Sequence, residues 1–140
     1  MTAVTEILVI EDDALDRELI AELLAVRGRG TIRLSEARNW KTAMEKLAGQ
    51  AFDLVLLDTK LPDTTALHAL RTIAEHAPLT PVLPHPAYIT PKARQNARDR
   101  GAFDVVVRGD LNPMWSAVTK LLTLRALGHD ERPIARAVGE

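Results

Sequence analysis

The sequence predicts one α/β domain built on a parallel sheet with helices packed on both faces. Three observations lead there. Short apolar runs alternate with longer amphipathic segments through five strand-helix units; the inner runs, ILVI at 7–10 and LVLL at 54–57, are apolar at every position; and 140 residues fit one domain that buries a real core. A parallel crossover needs a helix, and a strand with no polar face needs both faces of its sheet covered.

Ile7 to Ile10 reads as the first strand and Ala14 to Arg27 as the first helix, with Leu15, Leu19, Leu23 and Val26 at helical spacing. Gly28 stands where a left-handed cap would close that helix. Thr31 to Leu34 alternates polar and apolar residues, as an edge strand with one wet face does. Trp40, Met44 and Leu47 mark the second helix, Leu54 to Leu57 the third strand, and Leu67, Leu70, Ile73 and Ala74 the third helix. Pro81 to Leu83 is a stunted fourth strand, Pro91 to Arg100 a polar helix opened by Thr90, and Val105 to Val107 the fifth strand. Pro84 and Pro86 each lack an amide hydrogen, so regular pairing should stop near Leu83 and His85 to Ile89 should form an irregular loop. Asn112 and Pro113 open the last helix, where Met114, Trp115, Val118, Leu121 and Leu122 cover a core arc. Leu124 and Leu127 fall outside that arc, either as a partner surface or as leucines tolerated at a fraying end. Residues 128–140 lose the pattern and read as a tail or linker stub beyond a domain of residues 1–127.

A net charge of -1 gives no global attraction to nucleic acid. No apolar stretch is long enough to span a bilayer, and the short first run is followed at once by acids, unlike a secretory signal. The absence of cysteine removes disulfides and thiolate metal sites, and with the missing signal it points to the cytoplasm. GRG at 28–30 is too short for a dinucleotide fingerprint. Lys92, Arg94, Arg98 and Arg100 read as a solvated basic face, and histidines 68, 76, 85 and 129 lack metal-ligand spacing and default to surface or packing roles.

Ligands of open doubly wound sheets sit at the carboxyl ends of the strands, and two of those ends carry acids: Glu11, Asp12 and Asp13 after the first strand, Asp58 after the third. If these strands are neighbours, the carboxylates converge and repel, a cost that a hard divalent cation, Mg2+ by preference, removes. Asp13 alone reads as a helix cap. Asp12 and Asp58, each directly behind a core strand, do not.

With ILVIEDD, DLVLLDTKLPD and GAFDVVVRGDL in place, the chain from about Glu6 to Leu127 resembles the receiver domain of two-component response regulators. The resemblance implies a flavodoxin-like (βα)5 fold with strand order 2-1-3-4-5. It makes Asp58 the acceptor of a phosphoryl group from a histidine kinase or phosphotransfer protein, by an in-line transfer governed by positioning. It implies Mg2+ bound by Asp12, Asp58 and the backbone carbonyl of Lys60, with Glu11 in the outer shell. The chain would then be a phosphoacceptor rather than an enzyme, self-catalysed phosphorylation and dephosphorylation aside. Its output protein or homodimer contact would lie on the fourth helix, fifth strand and fifth helix.

The departures from the family pattern concentrate at the switch. Pro86, followed by Ala87, stands where the family has serine or threonine; Val105 stands where it often has an aromatic residue; Arg108 and Gly109 replace lysine and proline. Proline has no donor to offer a phosphoryl oxygen, so the switch is degenerate. Arginine keeps the charge as a fork of donors and should pair with Asp58 when metal and phosphate are absent. The alternative function is a pseudo-receiver, an interaction module independent of phosphorylation. A phosphatase built on Asp58 to Lys60 is weaker, because no second catalytic carboxylate follows.

Overall fold

The computed structural model describes residues 4–99, 102 and 104–128. In chain order the elements are β1 (Thr5–Ile10), α1 (Ala14–Gly28), β2 (Ile32–Ala37), α2 (Trp40–Gly49), β3 (Leu54–Leu57), α3 (Ala66–His76), β4 (Val82–Pro84), α4 (Pro91–Asp99) and α5 (Leu111–Ala126). The strands form a parallel sheet in the order β2-β1-β3-β4, with β2 at the edge as its alternating pattern requires.

Successive side chains of a strand point to opposite faces, and every strand residue of β3 is buried, so the sheet is dry on both sides. Ile7, Val9, Leu54, Leu56, Leu83 and Val106 pack against Ile20, Leu23 and Leu24 of α1 and Met114, Val118 and Leu121 of α5. On the other face Leu8, Ile10, Val55, Leu57 and Val82 meet Trp40 and Ala43 of α2 and Leu70 and Ile73 of α3.

The expected fifth strand holds the fifth position as an extended segment with a one-sided ladder. The Val106 N–H donates to the Pro84 carbonyl at 3.0 Å and the Arg108 N–H to the Pro86 carbonyl at 2.7 Å. In a parallel pair the return bonds come from the amides of residues 84 and 86, and both are prolines. The opposite edge of β4 is intact: it pairs with β3 from Val82 to Pro84, and the His85 N–H reaches the Leu57 carbonyl at 2.9 Å. Pairing therefore runs slightly past Leu83, after which the chain is irregular up to α4, as the prolines dictate.

Two details of α1 differ from expectation. Its buried residues are Ile20, Leu23 and Leu24, whereas Leu15, Leu19 and Val26 are 64%, 37% and 64% exposed. The helix carries two apolar stripes, and helical spacing alone does not say which faces the sheet. Gly28 is also the last helical residue rather than the left-handed cap, which falls to Arg29 at φ 48° and Gly30 at φ 79°. Gly28 is required for a different reason: a Cβ there would lie 2.8 Å from Cδ1 of Ile32, so its absence lets the helix end settle on β2. In α5, Met114, Val118 and Leu121 are buried while Trp115 and Leu122 are partly so, and Leu127 is exposed. The proposed tail from His129 onward and the Arg100 end of the fourth helix lie outside the described residues.

Leu56 is fully buried, so Leu56→Ala should cost about 2–5 kcal/mol in urea unfolding, whereas Leu15→Ala on the exposed stripe should stay within about 0.5 kcal/mol. Equal losses at the two positions would mean that the helix is rotated from the orientation described.

Candidate functional site

The apolar row Val9, Leu56 and Leu83 crosses the sheet on its α1/α5 face. Two residues further along each chain, on the same face by strand alternation, stand Glu11, Asp58 and His85, and the bond from the Val106 N–H to the Pro84 carbonyl sets Val106 level with His85. The core row is thus continued at the carboxyl edge by two acids and a histidine, with Arg108 two residues beyond Val106 on the same face.

Arg108 closes this row. One of its terminal nitrogens lies 2.6 Å from Oδ1 of Asp58 and 3.5 Å from Oε1 of Glu11, and its Nε lies 3.6 Å from Oδ2 of Asp16. The expected pairing of Arg108 with Asp58 is present. Asp58 Oδ1 also accepts the Lys60 N–H at 2.9 Å. Glu11 and Asp58 are 0% and 1% exposed. His85 is fully buried behind them, its Nδ1 3.9 Å from Glu11 Oε1, and neither ring nitrogen has a hydrogen-bond partner. Asp12 is exposed, and its carboxylate comes within 4.8 Å of those of Glu11 and Asp58.

Burial, reinforced by the adjoining Asp58 carboxylate, pushes Glu11 up to about 9, so it holds a proton at neutral pH. Asp58 goes the other way. Burial acts to raise it, but Glu11, the Lys60 amide, Asp12 and Arg108 together hold it at about 2. Asp12 is raised, mainly by Asp58 and next by burial. Burial brings His85 down to about 4, so its ring is neutral. The outcome is one buried anion, Asp58, beside a neutral acid and a neutral imidazole, balanced by a guanidinium.

The surrounding loops are pinned. Asp13 caps α1 by accepting the Asp16 N–H at 2.9 Å, as its position before the helix predicts. Arg17 donates to the Glu11 carbonyl at 2.8 Å and pairs with Glu36 at 3.4 Å, which fixes the turn after β1. Asp63 accepts the amides of Trp40 and Lys41 at 2.8 and 3.0 Å, tying the loop after Asp58 to the start of α2, and these bonds lower its pKa. Sequence reasoning missed Arg17 and Asp63 and gave His85 no role. Arg17 and Asp63 leave no local signal, and His85 is placed only once Leu83 is known to share a row with Leu56 and Val9.

The other singled-out residues sit around this edge. Pro86, Ala87 and Val105 join Leu67, Tyr88 and Ala93 in lining an apolar groove of about 430 Å³ between α3 and α4. Arg94 and Arg98 of the basic helix turn to Asp104, at 3.9 and 3.6 Å. Oε1 of Glu11 and Oδ2 of Asp58 are buried without hydrogen-bond partners, and the converging oxygens of Glu11, Asp12 and Asp58 form a hard oxygen donor set. These residues fit a divalent cation such as Mg2+.

The model of the response regulator receiver domain matches residues 7–113, from β1 into α5. The chain belongs to this family. As a receiver domain it is similar to the regulatory protein AtoC of Escherichia coli K12, 30% identical over 139 residues, and to the response regulator protein PilR of Pseudomonas aeruginosa, 36% identical over 135. Those alignments take in 99% and 95% of this chain but 30% of each relative, so the chain spans under a third of the length of these curated relatives. A receiver domain protein from Methanospirillum hungatei superposes with a TM-score of 0.78 over 89% of this chain and 98% of that one at 18% identity, which bears out the fold. The response regulator protein TrrA from Thermotoga maritima, 25% identical, superposes at 0.72 over 84% of this chain and 99% of that one, and its structure is a complex with Mg2+ and BeF. The receiver therefore belongs to two-component signalling, and none of its described helices is long and apolar enough to cross a membrane.

The raised Glu11 carboxyl gives the metal-free receiver a pH signature. Between its ordinary 4.5 and about 9 the folded state holds a proton that the unfolded chain has released, so stability must fall as pH rises through that window. Urea unfolding in chelator should show this decline in the wild type and a flatter profile in Glu11→Gln. Equal slopes in the two proteins would remove Glu11 as its source.

Proposed function

We propose that this receiver takes a phosphoryl group onto Asp58 from the phosphohistidine of a histidine kinase or phosphotransfer protein, with Mg2+ at the acidic cluster. The observation that carries the reading is the state of Asp58: ionised at the rim of the sheet, held through Oδ1 by Lys60 and Arg108, and bordered by the carboxyls of Glu11 and Asp12. Oδ2 attacks phosphorus in line; a P–O bond forms as the P–N bond breaks, and the departing nitrogen keeps the electron pair and takes up a proton. Asp12, Asp58 and the Lys60 carbonyl would hold the ion, with Glu11 outside them, and a divalent cation there would supply neutralisation of charge on the phosphoryl oxygens. The Mg2+ and BeF in the related TrrA structure support this assignment.

Partner docking has a natural surface. Leu15, Leu19 and Val26 form an exposed apolar ridge on α1, which starts directly after Asp12 and Asp13. A donor that brings its phosphohistidine to Asp58 covers the near end of this ridge. Output coupling is the degenerate part: Pro86 and Ala87 offer no hydroxyl to the phosphoryl group, and Val105 is no aromatic switch. Phosphorylation therefore moves the face formed by α4, residues 105–107 and α5 little, whether an output protein or a second copy docks there. The domain unit is residues 1–127, and its compartment is the cytoplasm. The complete acidic cluster favours phosphoacceptance over a phosphorylation-independent pseudo-receiver.

Incubation with a small phosphodonor and Mg2+ should add a single phosphoryl group by intact mass, and Asp58→Asn or Asp12→Ala should abolish it. Modification that survives Asp58→Asn would sink the assignment. Leu15→Glu together with Leu19→Glu should slow transfer from a histidine kinase roughly tenfold or more while leaving the small phosphodonor reaction unchanged. Loss of both reactions would instead indicate a damaged site. Hydrogen exchange with a beryllofluoride mimic should leave residues 84–108 unchanged; new protection across them would mean that the switch still operates.

A further inference from the structure

We propose that Arg108 is a built-in competitor of the divalent cation, a tethered charge that must leave Asp58 before the ion can bind. The inference rests on the acidic cluster being a metal site and adds what controls access to it. A single guanidinium joins three carboxylates from three elements: Asp58 after β3, Glu11 after β1 and Asp16 in α1. Two of those carboxylates belong to the cluster that would hold the ion. The third, Asp16, does not, so it anchors the guanidinium without taking part in coordination.

The shape of the side chain makes this arrangement specific to arginine. Asp58 and Glu11 are met by the terminal nitrogen and Asp16 by Nε, on a different part of the planar group. A lysine ammonium is one point charge and cannot span the two directions. The backbone of Arg108 is fixed by its 2.7 Å bond to the Pro86 carbonyl, while its side chain retains 28% exposure, so it can swing outward without disturbing the strand. In the closed position it leaves Asp58 1% exposed. The cost of opening lowers the apparent metal affinity by the fraction of molecules in which Arg108 has moved away.

Calorimetric titration of Mn2+ into the wild type, Arg108→Gln and Asp16→Asn tests this, with melting temperatures in chelator and in Mg2+ as the second readout. Arg108→Gln should bind Mn2+ roughly tenfold or more tightly than the wild type, and Asp16→Asn should gain less in the same direction. The melting temperature of Arg108→Gln should fall in chelator and recover with Mg2+, by a larger rise than the wild type shows. If Arg108→Gln is too unstable to titrate, Asp16→Asn decides, because it loosens the anchor and leaves the cluster intact. Measurable binding with equal or weaker affinity in the variants would overturn the competitor role and leave the metal site standing. Binding by none of the three would overturn both, since removing the tethered cation must uncover a site if one exists.

Discussion

Everything at the working edge of this receiver depends on how one buried carboxylate, Asp58, keeps its charge. The sheet behind it is dry on both faces, and an ion there loses most of its hydration. The structure meets that cost by keeping the neighbours neutral and the counter-charge close. Burial favours the neutral forms of Glu11 and His85, and Arg108 and the Lys60 amide converge on Oδ1. Truncating one partner of such a pair is far more disruptive than its net worth suggests, because it leaves the other charge buried and alone.

The same edge underlies the proposed separation of chemistry from output. The proposed phosphoacceptance would use β1, β3 and the residues directly behind them, and this part of the sheet is fully paired. Transmission would have to pass through β4 and the segment 105–107, where two prolines remove half of the ladder bonds and the loop after His85 is irregular. α4 has no buried residue, so little packing links that helix to the core. A phosphoryl group on Asp58 would therefore meet a fully paired part of the sheet on one side and a loosely connected face on the other, with no hydroxyl at position 86 to join them.

Much of this was legible in the residues. Apolar runs located β1 and β3 because strands buried on both faces have no alternative composition, and the wet alternation around Arg33 marked β2 as the edge. Asp12 and Asp58 stood out because a carboxylate behind a core strand is an expensive position, whereas Glu11, the buried one of the first pair, was given only an outer-shell place. What was not legible required three dimensions. The two apolar stripes of α1 are not told apart by spacing, and packing against the sheet is what shows that Ile20, Leu23 and Leu24 form the buried one. Asp63 caps a helix that begins 23 residues earlier, a relation that no local pattern encodes. His85 became interpretable only once Leu83 was known to share a row with Leu56 and Val9.

The most direct test of this account is a double-mutant cycle between Arg108 and Asp58, measured by urea unfolding in chelator with Arg108→Ala, Asp58→Asn and the pair. If Arg108 is the charge that allows Asp58 to remain ionised and buried, the coupling should be about 1–3 kcal/mol, with Arg108→Ala far less damaging once Asp58 is neutral. A coupling below about 0.5 kcal/mol would contradict the account, since additive losses are what two independent sites give.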